Sequence, residues 1–250
     1  MKVGITLPQF RDDAEAALEA ARRAEALGID GVFVFDHLWP MGQPGRPSLS
    51  LGPLLGALAA ATSTIHLGTL VARIGLLPDE VLLDVLFGLD GLSGGRLIAG
   101  IGTGDRLSRA ENEAYGIPYE HAAIRRERLE AVAFAVSGAG LPVWIGGGRP
   151  EMVALARACG AAVNVWQVGT DQVAPLAAQG VEVTWGGPVG DTVEDAIDTL
   201  AAVAGAGAGW AVCAWPDSLD VVAEAAAAVT SADHRRTGSG DVSGPGGARR

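Results

Sequence analysis

The stretch "GVFVFDHLWP", residues 31–40, joins a strongly apolar segment directly to a set of polar and aromatic side chains. Residues 32–35 are four consecutive β-forming residues and predict a buried strand. Asp36, His37 and Trp39 follow at once. In folds built from parallel strands, binding and catalytic groups lie at the carboxyl ends of the strands. The fold therefore depends on whether this strand belongs to a parallel set.

The same kind of apolar run occurs eight times, and each run is followed by a segment of helical period. The predicted strands are residues 2–8, 31–37, 66–71, 96–104, 142–148, 161–167, 181–187 and 210–216. The predicted helices lie near residues 12–27, 51–63, 78–92, 120–137, 150–160, 170–179, 191–205 and 218–229. Strands that are apolar on both faces are typical of a parallel sheet covered by helices. Eight repeats predict closure into a (β/α)₈ TIM barrel.

A doubly wound open sheet is the alternative architecture. Such a sheet usually has fewer strands, and the first turn, "LPQFRDD", lacks its glycine fingerprint. A length of 250 residues, 49% of them hydrophobic, fits one barrel, so we predict a single domain over residues 1–230. Residues 231–250 contain one valine and no other large apolar residue, which predicts a disordered tail.

Charge and cysteine content restrict the partners. The net charge is −11 without a basic stripe, which argues against nucleic acid or a membrane surface as the main partner. Cys159 and Cys213 are far apart with no CxxC spacing, so neither a metal site nor a disulfide is predicted, and a reducing cytoplasm is expected. Residues 47–72 carry no charge, but prolines and hydroxyl residues interrupt them, which favours buried elements over a membrane span.

Several aromatic side chains lie at the predicted carboxyl ends of the strands. Four of the six tryptophans are there: Trp39, Trp166, Trp185 and Trp215. Aromatic rings collected at one mouth suggest a pocket for a flat ligand. The alternative is that each tryptophan simply suits a half-buried barrel rim.

Asp36 and His37 are the candidate catalytic pair. The imidazole of His37 could accept or donate a proton, while Asp36 could orient its ring. The alternative is structural, with Asp36 stabilising the turn and His37 satisfied at the rim. His66 opens a predicted strand at the opposite face and His121 lies in a helix, so neither competes with His37.

Two glycine-rich stretches follow predicted strands. In "GIGTGD" (100–105), Gly102 and Gly104 could let a planar cofactor lie against the main chain, or could relieve backbone crowding. Asp105 adds a second carboxylate. In "WIGGGRPEM", the loop 146–149 (Gly146, Gly147, Gly148 and Arg149) precedes a proline that opens a helix, a pattern that suits a phosphate cradle.

The chain resembles the luciferase-like monooxygenase superfamily, particularly its oxidoreductases that depend on the deazaflavin coenzyme F420. The matching pieces are "DHLW" (36–39), "HLGTLV" (66–71), "LDGLSGGRLIAGIGTGD" (89–105), "ENEAYGIP" (111–118), "RRERLEAV" (125–132), "LPVWIGGG" (141–148) and "LARACGAAVN" (155–164). These pieces follow the order of the family from residue 3 to about 165.

The resemblance implies a flavin-type ring at the carboxyl mouth of the barrel. His37 would be the acid/base beside the ring, Asp36 its neighbour, and Trp39 a wall of the substrate pocket. Asp105 falls where some deazaflavin enzymes carry a carboxylate that exchanges a proton with the substrate.

The cofactor would rest on elements from several strands. Thr69 and Leu70 fall where the family has a bulge under the ring, sometimes with a non-proline cis peptide. The Gly146–Gly148 loop would hold the phosphate, and Trp166 would contribute to the cofactor site.

The sequence departs from the family in two places. Residues 160–163 read Gly-Ala-Ala-Val where the family usually has Ala-Asp-Gly-Trp, and the loops over the mouth are shorter than usual. The substrate pocket is therefore expected to be shallow, or to be completed by a partner subunit.

Three functions follow from the resemblance. The first is an F420-dependent oxidoreductase that transfers a hydride between the deazaflavin and a small organic substrate. The second is an FMN-dependent monooxygenase, and the third is a non-catalytic flavin-binding barrel. The alanine- and glycine-rich composition suits a bacterial source, and the apolar segments 51–62 and 82–92 could support a homodimer.

Overall fold

The computed structural model describes residues 1–104 and 107–238, with residues 232–238 described by their backbone. Its strands are β1 (Lys2–Thr6), β2 (Gly31–Val34), β3 (His66–Thr69), β4 (Ala72–Arg73), β5 (Leu97–Gly102), β6 (Val143–Gly146), β7 (Ala162–Trp166), β8 (Val183–Gly187) and β9 (Ala208–Cys213). Its helices are α1 (Glu15–Ala26), α2 (Leu51–Ala61), α3 (Asp79–Ser93), α4 (Ser108–Ala114), α5 (Ala122–Gly138), α6 (Pro150–Cys159), α7 (Thr170–Ala177), α8 (Val193–Gly205) and α9 (Leu219–Gly238).

The strands form one closed parallel barrel. Their order is β3-β2-β1-β9-β8-β7-β6-β5-β4, and pairing of β3 with β5 closes the ring. Since β3 and β4 both pair with β5, they count as one interrupted strand, and the barrel is therefore eight-stranded. The predicted (β/α)₈ architecture is confirmed.

The interruption between β3 and β4 is a β-bulge. Gly68 pairs with Ile98 and Ala72 pairs with Ile101, so residues 69–71 lie opposite residues 99 and 100. One extra residue is accommodated there, which bends the strand and redirects its side chains. The peptide bond between Leu70 and Val71 is cis. The bulge implied by the family resemblance is present.

Several element boundaries differ from the predictions, and three of the differences affect the architecture. The predicted strand 66–71 ends at Thr69, because the bulge interrupts the ladder. A seven-residue helix, α4, was not predicted, because so short a segment shows little periodicity. The predicted domain end at residue 230 falls inside α9, which has its alanine-rich part before that residue and runs to Gly238.

The barrel interior is filled by aromatic rings. Phe33 stacks on Trp144 with ring centroids 4.9 Å apart and meets Trp210 edge-on at 5.9 Å. A Cβ at Gly68 would lie 2.2 Å from the Phe33 ring, so this position requires glycine. A second, larger apolar cluster packs the outer faces of the strands against the helices. The interior aromatic layer closes the barrel below the mouth.

The described residues contain no helix long and apolar enough to cross a bilayer. Within the same ranges, no group of three or more His, Cys, Asp or Glu side chains is placed to hold a metal ion. Cys159 and Cys213 are both free and buried.

Candidate active site

A cavity of about 610 Å³ lies at the carboxyl ends of the strands. Nine of the residues predicted from the sequence line it: His37, Leu70, Gly102, Gly104, Gly146, Gly147, Gly148, Arg149 and Trp166. Its other walls include Phe10, Phe35, Val71, Arg73 and Asn164, none of which was predicted. A volume of this size lies within the range of roughly 300–1,000 Å³ found for small-molecule and cofactor sites.

The floor of the cavity is built by the bulge between β3 and β4. Leu70 and Val71 both line the cavity. A Cβ at Gly102 would lie 2.6 Å from the Val71 side chain, and one at Gly100 would lie 2.0 Å from the Thr69 carbonyl oxygen. These two glycines therefore make room for the bulge, as the backbone-crowding alternative expects, and Gly102 also lines the cavity.

His37 is held by a residue that sequence reasoning did not identify. Its Nδ1 lies 2.7 Å from Oε1 of Glu111, which is on α4. The other carboxylate oxygen, Oε2, accepts hydrogen bonds from the Leu38 amide at 2.8 Å and from the Arg73 guanidinium at 2.8 Å. The His37 side chain is 17% exposed, whereas that of Glu111 is 1% exposed. Glu111 is thus a buried anchor behind a histidine that faces the cavity.

Arg73 connects this anchor to the end of β2. Its backbone amide donates to Oδ2 of Asp36 at 2.8 Å, and its Nε donates to the Asp36 carbonyl oxygen at 2.6 Å. Asp36 lies against Arg73 and does not line the cavity. The structure therefore places Asp36 beside His37 in the chain but directs its carboxylate to Arg73.

The two carboxyl groups of this cluster respond differently to burial. Burial raises the pKa of Asp36 above its ordinary value, because the amide and charge of Arg73 compensate only in part. Burial also raises the pKa of Glu111, but its hydrogen bonds with His37 and Leu38 and the charge of Arg73 outweigh that effect and hold it below its ordinary value. Glu111 is the carboxyl group that stays ionised.

The loop after β6 borders the cavity on another side. Gly147 has a φ of 103°, which favours glycine. Its amide donates to the Asn164 carbonyl oxygen at 2.8 Å. Arg149 is the N-cap of α6 without a side-chain cap, and its side chain is 68% exposed. The arrangement places a helix N-terminus and a guanidinium at the cavity, where an anionic group is favoured.

The four tryptophans expected at the mouth do not form one pocket. Trp166 lines the cavity. Trp39 is 6% exposed, packs against Tyr115 with ring centroids 6.0 Å apart, and does not line the cavity. Trp185 is buried and its Nε1 donates to the Val168 carbonyl oxygen, while Trp215 is 39% exposed and lines a separate cavity of about 260 Å³.

Thr69 and Asp105 are the two other residues that the sequence predicted for the site. Thr69 is fully buried, and its hydroxyl donates to the Gly100 carbonyl oxygen at 2.5 Å, so it ties the bulge to β5 and does not line the cavity. Asp105 lies outside the described residues.

The main and smaller cavities share the walls Phe10, Phe35 and Trp166. Phe10 stacks on Phe35 with centroids 6.1 Å apart, and Phe35 meets Trp166 edge-on at 5.8 Å. Gln9, fully buried, fixes this wall because its side chain bonds both the amide and the carbonyl of Phe35 at 2.7 Å. The sequence contains little indication of Glu111 and Arg73. Glu111 is the first residue of the piece "ENEAYGIP" that resembles the family, and Arg73 is a charged residue just after the bulge.

Residues 1–134 match the family model of the luciferase-like monooxygenases. The chain belongs to that family. The match covers β1 to β5, the bulge, the segment with His37 and the helix with Glu111. The family predicted from the sequence is confirmed.

Curated relatives are similar over part of this chain. The F420-dependent glucose-6-phosphate dehydrogenase of Beutenbergia cavernae is 36% identical over 112 residues, which cover 44% of this chain and 32% of the relative. The protein of the same name from Intrasporangium calvum is 37% identical over 116 residues, covering 44% of this chain and 34% of the relative. The matched region thus spans about a third of the length of these relatives.

Solved structures share the fold. An F420-dependent secondary alcohol dehydrogenase in complex with an F420–acetone adduct has a TM-score of 0.78 at 15% identity, over 91% of this chain and 98% of the other. The F420-dependent tetrahydromethanopterin reductase from Methanopyrus kandleri has a TM-score of 0.72 at 15% identity, over 93% and 99%. The oxygenating constituent of 3,6-diketocamphane monooxygenase from Pseudomonas putida, in complex with FMN, has a TM-score of 0.59 at 15% identity, over 80% and 71%.

Proposed function

We propose that the protein is an F420-dependent oxidoreductase that transfers a hydride between the deazaflavin and a small organic substrate. The observation that carries the proposal is the position of His37, which faces a cofactor-sized cavity while its Nδ1 is bound to a buried carboxylate. The names of the relatives support the cofactor, because dehydrogenases and reductases that depend on F420 occur among both the sequence relatives and the structural neighbours.

The residues of the cavity fit a deazaflavin in shape and charge. Leu70, Val71 and Trp166 supply apolar surface on which a flat ring can rest. The N-terminus of α6 and the Arg149 guanidinium supply a favourable environment for a phosphate at the rim. His37 is a polar group that reaches the same space, as a proton-transferring residue must.

Each residue has a defined part in the proposed reaction. When bound, the deazaflavin would accept or donate the hydride. His37 would move the accompanying proton through Nε2, since Nδ1 is engaged by Glu111. Leu70, Val71 and Trp166 would exclude water from the reacting groups. Asp105 keeps its proposed role as a second proton carrier, which rests on the family resemblance.

Separate titrations with oxidised F420 and with FMN test the cofactor, followed by ligand and tryptophan fluorescence. We expect F420 to bind in the micromolar range. Gly147→Val should weaken binding, because a branched side chain at a φ of 103° distorts the loop after β6. Gly180→Val is the matched control: Gly180 also has positive φ, at 73°, and belongs to the loop before β8, away from the cavity. Equal weakening by both variants would contradict the proposed phosphate loop.

Catalysis is tested with F420 and two probes taken from the chemistry of the relatives, glucose 6-phosphate and 2-propanol. His37→Ala should abolish turnover of whichever probe reacts while F420 binding changes little. Full turnover in that variant would exclude His37 as the acid/base. Binding of F420 without turnover of either probe would favour the non-catalytic barrel, and turnover that His37→Ala leaves unchanged would indicate another proton carrier.

FMN-dependent monooxygenation is the second candidate, favoured by the structural neighbour that contains FMN. The same titration separates the two candidates. Preferential binding of FMN, with oxygen consumption on reduction, would replace the F420 proposal.

We also propose that two copies pair through α2 and α3. The support is that α2 carries no charged residue, while Leu92 on α3 is 72% exposed and Phe87 is 37% exposed. Light scattering after gel filtration should show a dimer that Leu92→Lys dissociates. Phe134→Lys on α5, at a side chain that is 45% exposed, is the control and should leave the dimer intact.

We place the protein in a reducing cytoplasm. The support is that both cysteines are free and buried, as is usual where thiols stay reduced. Cell fractionation with an antibody to the protein tests this proposal, and recovery in a secreted or membrane fraction would contradict it.

A further inference from the structure

The carboxylate of Glu111 is shared by three donors from three parts of the chain. It bonds Nδ1 of His37, the amide of Leu38 and the guanidinium of Arg73, at 2.7, 2.8 and 2.8 Å. The residue is 1% exposed, although it lies on the seven-residue helix α4. A buried carboxylate is costly unless it is fully paired, so this arrangement fixes its neighbours in place.

We propose that Glu111 is the positioning residue of the reaction: it holds His37 in the tautomer with the proton on Nδ1 and presents Nε2 to the cavity as a proton acceptor. This role rests on the proposed function, in which His37 moves the proton. It is distinct from catalysis by Glu111 itself, because Glu111 does not line the cavity.

The donor and acceptor inventory determines the tautomer. An ionised carboxylate can only accept hydrogen bonds, so a neutral His37 ring must carry its proton on Nδ1. The hydrogen bonds of Glu111 and the charge of Arg73 hold its pKa below the ordinary value, which keeps the carboxylate ionised. In water, a neutral histidine favours the other tautomer, with the proton on Nε2. The protein therefore reverses the intrinsic preference of the ring.

The backbone on both sides of the ring is also fixed. The hydroxyl of Ser48 donates to the His37 carbonyl oxygen at 2.6 Å. The amide of Leu38, the next residue, donates to Glu111. Arg73, 4% exposed, bonds Asp36 on the preceding side and Glu111 on the other. The ring is consequently oriented from β2, β4 and α4 together.

The charges around His37 suit proton uptake. The charged groups that face the ring within the described residues are Glu111 on α4, Arg73 on β4 and Asp36 on its own segment, with Arg149 across the cavity. Glu111 keeps its negative charge and would directly contact the imidazolium that forms when Nε2 takes up a proton.

Nitrogen NMR of protein labelled with ¹⁵N-histidine tests the proposal without requiring a substrate. The chain has four histidines, and His37→Ala assigns the signals of His37. At a pH where the ring is neutral, wild-type His37 should show the Nδ1–H tautomer in at least about tenfold excess, because a charge-assisted hydrogen bond favours it. In Glu111→Gln the side-chain amide can either accept from or donate to Nδ1, so the excess should fall severalfold.

Glu113→Gln is the matched control on the same helix. Glu113 pairs with Arg109 at 3.2 Å, and both side chains are at least 60% exposed, so the tautomer should stay as in the wild type. If Glu111→Gln unfolds because Arg73 is left as an unpaired buried charge, the Glu111→Gln/Arg73→Gln double variant removes both charges and takes its place.

Either of two results would overturn the proposal: a wild-type ring in the Nε2–H tautomer, or the same tautomer ratio in the wild type and the charge-removing variant. F420 added to the wild type provides the separate check on function, and it should shift the Nε2 signal. If the tautomer responds as expected and F420 does not bind, the positioning geometry holds and the proposed function fails.

Discussion

Removing the Arg96 side chain should destabilise the barrel more than removing any exposed arginine. Arg96 belongs to the "LSGGR" piece, and it lies just before β5. Its guanidinium donates to the carbonyl oxygens of Ala59, Thr62, Ile65 and Ser93, and to the Thr62 hydroxyl, at 2.6–3.2 Å. Helix α2 ends at Ala61 without a left-handed glycine cap, so Arg96 satisfies carbonyl groups that such a cap would otherwise satisfy.

The expected loss follows from these bonds. Hydrogen bonds to a charged group contribute about 1.5–3 kcal/mol each, but neighbouring bonds are not additive, and part of this turn can be rehydrated. We expect Arg96→Ala to lower the free energy of unfolding by about 3–4 kcal/mol. For a chain of this size, that corresponds to a fall in Tm of roughly 6–16 °C. Arg96→Lys should recover about half, because one ammonium group cannot reproduce the planar fork.

Urea unfolding followed by tryptophan fluorescence measures these differences, with thermal unfolding as a second readout. The control is Arg23→Ala, because Arg23 pairs with Asp220 at 2.6 Å through side chains that are 56% and 62% exposed. That pair should contribute less than about 1 kcal/mol. If Arg96→Ala costs no more than Arg23→Ala, or if Arg96→Lys matches the wild type, Arg96 does not cap α2.

Two further predictions concern stability. Glu25 accepts bonds from the amides of residues 63, 64 and 65, which outweigh its burial and lower its pKa to about 2. Its stabilisation should be complete above pH 4.5 and be lost as the pH falls towards 2, so Glu25→Gln should cost about 1–2 kcal/mol in urea unfolding near neutral pH and little at the acid end; a constant cost at all pH values would contradict this. Gly68→Ala should lower the Tm by several degrees, because its Cβ would lie 2.2 Å from Phe33, whereas Gly88→Ala in α3, with nothing within 4 Å, should be neutral or stabilising by up to about 1 kcal/mol; equal effects would refute the packing argument.

The architecture could be predicted from the sequence because its signals are local. Each barrel strand is a run of apolar residues, and each run is followed by a helical segment. The eight strands can therefore be counted without knowing which of them pair. The loop 146–149 was predicted to reach the ligand space for the same reason, since it directly follows β6 and opens α6. Neither inference needs contacts between distant parts of the chain.

The partners of His37 could not be predicted in this way. His37 and Glu111 are separated by 74 positions, and Arg73 and Glu111 by 38. Glu111 lies on a helix too short to show an amphipathic period, and a charged residue there would ordinarily face water. Trp39 shows the converse: it follows the end of β2 closely, yet it is buried against Tyr115 and does not line the main cavity.

The bulge between β3 and β4 explains how the glycines, the cavity floor and the buried charges arise together. The extra residue at positions 69–71 moves Leu70 and Val71 to the cavity floor, and Gly100 and Gly102 on the neighbouring strand are required to make room for it. Once pairing resumes at Ala72, Arg73 is close enough to bond both the end of β2 and α4. One local irregularity therefore shapes the ligand surface and supplies the cation that pairs with Glu111. For this reason, Gly100 and Gly102 are needed to make room for the bulge, and Gly102 borders the cavity beside Leu70 and Val71.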